Sequence, residues 1–200
     1  MELTEALARR RMVRAFREVS IEPDVLDRVL HALFRGPSAG FTQGLEALVL
    51  DAPAQVERFW SVTFPDSERR SSFRWQGLFV APAVVIPIVS PASYASRYAE
   101  PDKAVSGLDQ EAAWPVPYWW VDGGMGVMAG LLSAVDEDLG ALFFGLFEQE
   151  AAVLAAFGVP VGHRALGALA LGYPAPDEPG RSASSRPRRP HDEVIHRNRW

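Results

Sequence analysis

The residues best equipped for chemistry lie near the start of the chain. Arg9, Arg10, Arg11, Arg14 and Arg17 place five guanidinium groups within nine residues of a protein whose formal net charge is -5. Like charges at that density repel unless an anion sits among them. The plain reading is a solvated basic face, the usual fate of a charge run. The sharper reading is an anion site. Val13 and Phe16 are interleaved with the arginines, so part of the segment must be buried. A buried guanidinium needs an anionic partner. A second set, Arg181, Arg186, Arg188 and Arg189, stands near the other end of the chain. Arginine forks suit bidentate phosphate binding. Two such sets in an acidic protein fit one compact dianion better than a nucleic-acid backbone, whose binders are basic as whole domains.

Other motifs weigh less. Gly36-Pro37-Ser38-Ala39-Gly40 has the Gly-x-Ser-x-Gly spacing of a nucleophile elbow. An elbow needs a strand before the serine and a helix after it, whereas an amphipathic helix precedes this one. His31 lies in that helix, and His163, His191 and His196 have no carboxylate at a telling distance. His191, Asp192, Glu193 and His196 read as polar tail sequence, so no metal is expected. There is no cysteine, which removes disulfides, thiolate ligands and cysteine nucleophiles. The opening Met-Glu-Leu-Thr-Glu lacks an apolar core, so no signal peptide is expected. No apolar run reaches the ~18 residues of a membrane span, so a cytoplasmic location is the default.

The elements that must position these groups follow from periodicity. Residues 3–11 read as a short helix, with Val13 to Phe16 more extended. Ser20-Ile21-Glu22-Pro23 opens a second helix, in which Val25, Leu26, Val29, Leu30 and Leu33 repeat at helical spacing up to Gly36-Pro37. A small-residue loop, 36–44, leads into a strand at 45–50. Asp51 is placed to cap a helix from Pro53 that carries Val56, Phe59 and Trp60. Residues 61–74 are polar, a helix or a mobile segment. A second strand covers 83–89, and Pro87 inside it suggests an edge or a bulge. The excursion 91–117 interleaves aromatic and charged residues, as functional loops do. Tyr118 to Val135 is the most apolar helix, with polar Asp122 and Asp136 near its ends. Its Gly123, Gly124, Gly126 and Gly130 imply a close helix approach, most simply across a dimer interface. A strand or turn at 139–147, a helix from 148 to 157 and a strand at 165–172 complete the core. Residues 175–200 have few core residues, and Val194, Ile195 and Trp200 suggest a tail that docks on the core or a partner subunit.

At this point the motifs resemble a family. Arg10-Arg11-Met12-Val13-Arg14-Ala15-Phe16 is similar to the Arg-Arg-Ser-x-Arg-x-Phe signature of the nitroreductase family of flavin enzymes. Gly36-Pro37-Ser38-Ala39-Gly40-Phe41-Thr42-Gln43 resembles that family's Ala-Pro-Ser-Ala-Gly-Asn-x-Gln loop. Leu139-Gly140-Ala141 leading to Phe144-Gly145 resembles its Gly-Leu-Gly segment and the turn after it, and Leu171-Gly172-Tyr173-Pro174 its closing strand. The four motifs occur in the family's order. The resemblance implies an α+β fold with a central, mostly antiparallel sheet flanked by helices. It implies residues 1–174 as the FMN-binding domain, the tail 175–200 outside it, and an intertwined homodimer with two FMN sites at the interface. Arg10, Arg11 and Arg14 would hold the phosphate and ribityl chain, and Arg188 or Arg189 would close over the phosphate. Ser38 and Gln43 would line the flavin, and backbone N–H groups near Phe144 and Gly145 would approach its N5. Phe41, Tyr94 and Trp114 would shape the acceptor pocket; Trp119 and Trp120 fit a pocket wall or plain core equally well. The implied activity is hydride transfer from NAD(P)H through the flavin to nitroaromatic, quinone or similar acceptors, with no catalytic side chain, nucleic acid or membrane involved. Met12 stands where the family has serine, and Phe41 where it has asparagine. These departures keep a second reading open: a relative that binds a flavin or another anion without turnover.

Overall fold

The computed structural model describes residues 1–176 and 187–200. Seven α-helices and five strands are present among them: α1 (Leu3–Arg9), α2 (Pro23–Leu33), β1 (Leu45–Leu50), α3 (Pro53–Thr63), α4 (Ser67–Ser71), β2 (Ala83–Val89), α5 (Pro91–Tyr98), α6 (Tyr118–Asp136), β3 (Gly140–Phe144), α7 (Glu150–Ala156), β4 (Arg164–Ala165) and β5 (Ala168–Gly172). The strands form one sheet in the order β1-β2-β5-β3, with β4 beside the end of β2. Every ladder is antiparallel.

Alternation along β2 explains the layering. Val84, Ile86 and Ile88 face a core that also holds Phe59 and Trp60 of α3 and Val153 of α7. Ala83 and Val85 face the opposite core, with Leu26, Val29 and Leu33 of α2 and Val127, Leu131 and Ala134 of α6. Both faces of the sheet are therefore covered by helices. Each fully buried Leu, Val or Phe contributes about 1.5–3 kcal/mol.

Three sequence expectations are corrected. First, β2 is central, not an edge. The bulge lies in its neighbour: β2 pairs with β5 up to Val85 and with β4 from Ile88, and Leu166 and Gly167 interrupt the partner between them. Leu166 donates its N–H to the Pro87 carbonyl, so the side on which proline lacks a donor is the interrupted one. Second, Asp51 does not cap α3. Ala52 holds the N-cap position without a side-chain bond, and Pro53 starts the helix with its preset φ. Third, the α6 glycines serve contacts inside the chain. A Cβ on Gly126 would stand 2.5 Å from the Leu33 carbonyl oxygen, one on Gly130 2.7 Å from the Leu33 side chain, and one on Gly123 2.5 Å from Leu166. Gly124 alone of the four meets nothing. The glycines let α6 lie directly on the end of α2.

Smaller differences concern boundaries. Helix α1 stops at Arg9, and residues 10–16 run extended beside the sheet, with Met12 bridged to Ala141 and Phe16 to Pro174. The polar stretch 61–74 is the end of α3 and the short α4, capped by Asp66 through the N–H groups of Glu68 and Arg69. The excursion 91–117 is ordered by α5, two short 3-10 turns and a bond from the Trp114 indole N–H to the Leu108 carbonyl. No described helix is long and apolar enough to cross a membrane.

Candidate functional site

The candidate residues fall into two halves. The first lies along β3, an edge strand. Val13 donates its N–H to the Ala141 carbonyl, and its side chain presses onto Gly140, where a Cβ would come within 2.8 Å of it. This anchor buries Val13, Ala15 and Phe16 and leaves Arg10, Arg11 and Arg14 half-buried beside them. Arg9 and Arg17 are exposed. Arg9 is drawn aside to Asp138 at 2.9 Å and Glu5 at 3.4 Å. The Arg14 guanidinium stands over the Trp75 ring, 5.1 Å from its centre, and donates to the Met12 carbonyl at 3.4 Å. Met12 turns its sulfur toward β3, 3.5 Å from the Phe143 N–H.

Farther along β3, the Phe144 ring stacks on Trp60 at 5.9 Å and so points into the core, and the residue pairs with Ala168 of β5. Gly145 lies under the Phe147 ring, 2.7 Å from where a Cβ would stand. Phe147 is 87% exposed and has a φ of 46°, a left-handed conformation that costs a non-glycine residue about 1–2 kcal/mol.

The second half is the loop between α2 and β1. The Ser38 hydroxyl accepts the Gln43 N–H at 3.0 Å, and Thr42 donates its hydroxyl to the Ala39 carbonyl at 2.6 Å. Phe41 and Gln43 both have left-handed φ, at 56° and 53°. The loop tolerates this because four side chains hold it from outside. Asp122 accepts the Ala39 N–H at 2.8 Å, Arg97 donates to the Gly40 carbonyl at 2.9 Å, and Gly40 and Gly44 lie on the rings of Tyr98 and Tyr94. Arg97 is itself fixed by two bonds of 2.8 Å to Asp102. Phe41 projects from the loop, 75% exposed.

Beneath the loop, Tyr94 is fully buried and donates its hydroxyl to Asp122 at 2.9 Å. Burial, then the hydrogen bond to Asp122 and that residue's charge, push the Tyr94 hydroxyl well above the usual tyrosine range. A groove of about 460 Å³ runs past Ser38, Phe41, Gln43, Tyr94 and Asp122. Trp114 walls a neighbouring hollow of about 470 Å³ with Ala39, Tyr98 and Tyr118. Trp119, beside Trp114, is buried and shares its apolar cluster.

The two halves do not meet within one chain. The loop leads into β1 and the arginines border β3, at opposite edges of the sheet. Three strand spacings of about 4.8 Å separate those edges, some 14 Å. Of the tail residues, Arg188 and Arg189 are exposed, and Arg189 bonds Glu193 at 3.3 Å. Arg181 and Arg186 lie outside the described residues. Sequence reading passed over Asp122, Arg97, Trp75 and Phe147. Only Asp122 carried a signal: a lone carboxylate amid the apolar positions of α6 must be buried with donors.

The nitroreductase family model matches residues 7–173, from the arginine segment to the end of β5. The chain belongs to the nitroreductase family. Membership places it among oxidoreductases. No curated protein matches its sequence. Solved structures share the fold at low identity. Nitroreductase A from Vibrio parahaemolyticus is 18% identical with a TM-score of 0.73, covering 100% of this chain and 78% of that one. A nitroreductase family protein from Clostridium novyi is 19% identical with a TM-score of 0.66, covering 88% and 87%. A protein from Desulfovibrio desulfuricans, assigned as a nitroreductase and crystallised with FMN, is 20% identical with a TM-score of 0.69, covering 100% and 98%.

Proposed function

We propose that this nitroreductase-family protein is an FMN-dependent NAD(P)H oxidoreductase that reduces nitroaromatic, quinone or similar conjugated acceptors. The observation that carries the reading is the set of half-buried guanidinium groups, Arg10, Arg11 and Arg14, beside β3. Their chemistry fits a phosphate-bearing ligand. FMN in the Desulfovibrio neighbour supports the choice of group. Bound FMN would supply hydride acceptance and donation at N5. The protein would contribute the arginines to phosphate and ribityl, backbone at Phe144 and Gly145 to the ring edge, and a pocket wall of Phe41, Tyr94 and Trp114. Arg188 and Arg189 of the tail 175–200 would complete the phosphate contacts on the domain 1–174.

The same reading includes a homodimer. Ser38 and Gln43 leave the opposite sheet edge from the arginines, so a second copy would bring its loop to this copy's arginines. Val121, Met125 and Met128 form an exposed apolar stripe on α6, 37–40% accessible, suited to that contact. A cytoplasmic site of action, without nucleic-acid or membrane partners, belongs to the proposal.

A second reading is favoured by Met12 and Phe41. The Met12 sulfur is turned to β3 and presents no hydroxyl to a ligand. Under this reading the protein binds a flavin or another anion without turnover. One experiment separates the two: the visible spectrum of the purified protein with and without added FMN, followed by anaerobic NAD(P)H. The enzyme reading expects a yellow protein that bleaches. A yellow protein that does not bleach selects the second reading, and failure to take up FMN overturns the first.

A further inference from the structure

Two arginines stand over one indole. The guanidinium carbons of Arg14 and Arg74 lie 5.1 and 5.5 Å from the centre of the Trp75 ring. Trp75 stands twelve positions beyond the end of α3, and what brings it here is a close backbone contact. Phe16 donates its N–H to the Gly77 carbonyl at 3.0 Å, and a Cβ on Gly77 would come within 2.9 Å of Ala15. Only glycine permits that approach, and it lays residues 74–77 against 14–16. The Phe73 ring meets Trp75 edge-on at 5.5 Å and fixes the plane of the indole. The Trp75 indole N–H is buried without an acceptor among the described residues. An orphaned buried donor is costly. The ring is kept here for its face, whose negative quadrupole attracts cations.

We propose that Trp75 is a positioning residue for the anion site, holding Arg14 toward the ligand. This rests on the FMN reading for the identity of the ligand. The indole face attracts the Arg14 guanidinium, and the Met12 carbonyl accepts a bond from it at 3.4 Å. Trp75 itself touches no ligand; it acts through Arg14.

The test combines flavin titration with a ligand-free measurement. FMN affinity is measured for the wild type, Arg14→Ala, Trp75→Leu, Trp75→Phe and the double variant Arg14→Ala/Trp75→Leu. Trp75→Leu should weaken FMN about ten-fold, the worth of one largely desolvated cation–π contact. Trp75→Phe, which keeps an aromatic face, should recover most of that. The double variant should bind no worse than Arg14→Ala alone, because the two residues act as a unit. Additive losses, or a Trp75→Phe variant as weak as Trp75→Leu, overturn the proposal. In the flavin-free protein, the Arg14 Nε–H resonance should be ring-current shifted in the wild type and lose that shift in Trp75→Leu. A wild type with the shift but no FMN uptake supports the positioning and removes the FMN reading; a wild type without it overturns the positioning whatever the flavin does.

Discussion

The buried carboxylate of Asp122 offers the sharpest stability test. It is 5% exposed and accepts two bonds, from the Ala39 N–H at 2.8 Å and the Tyr94 hydroxyl at 2.9 Å. Asp122→Ala strands both donors. Each stranded donor costs about 1–3 kcal/mol, partly offset because the carboxylate no longer has to be buried, so a net loss of about 3 kcal/mol is expected. Tyr94→Phe removes one bond to a charged acceptor and leaves the other, for a loss of about 1.5–3 kcal/mol. Asp122→Asn keeps an acceptor oxygen and loses only the charge assistance, about 1 kcal/mol per bond. Urea unfolding should show Asp122→Ala as the largest loss, with Tyr94→Phe and Asp122→Asn both smaller, and with unchanged slopes. Amide exchange at Ala39 should quicken in all three. An Asp122→Ala midpoint equal to the wild type would refute the argument, as would slow Ala39 exchange in that variant.

Other expectations follow from single contacts. The Tyr94 hydroxyl has a folded pKa raised above its unfolded value of 10.0, so its contribution is complete below pH 10 and lost as pH rises further. Unfolding free energy should fall by up to about 1.4 kcal/mol per pH unit there, and Tyr94→Phe should remove that slope. Glu150 behaves oppositely: its bond to Arg164, helped by the Ala165 N–H and opposed by burial, lowers its pKa below 4.5. Its contribution is present above pH 4.5 and lost on further acidification, about 0.5–1 kcal/mol that Glu150→Gln should remove in acid titrations of stability. Gly126→Ala drives a methyl into the Leu33 carbonyl and should cost about 1–3 kcal/mol by urea midpoint. Met125→Glu with Met128→Glu should turn the proposed dimer into a monomer by light scattering, while a monomeric wild type at micromolar concentration would remove the dimer itself.

What the sequence disclosed depended on range. Strands 45–50 and 83–89 were legible because apolar runs between turn residues are local, and the motif order pointed to the family. The neighbours of a residue are not local. Four glycines in α6 announced a close approach, most simply across a dimer interface, but three of them meet Leu33 and Leu166 of the same chain. Pro87 suggested irregular pairing, yet the irregularity sits across the ladder at Leu166 and Gly167. Asp51 has the chemistry of a cap but stands one position too early. Trp75 sat at the end of a polar stretch, where nothing marks a ring that two arginines will share.

Helix α6 is wedged against its neighbours so closely that it has no freedom to turn about its own axis. Gly123, Gly126 and Gly130 act as the teeth of a ratchet set against Leu166 and α2. One rotation angle therefore sets two outputs. It aims Asp122 at the loop, and it decides that Val121, Met125 and Met128 face outward. A larger residue at Gly130, about two turns along the helix from Asp122, would have to roll the helix to fit. Loop geometry and the outward apolar stripe would then shift together, from a position that belongs to neither.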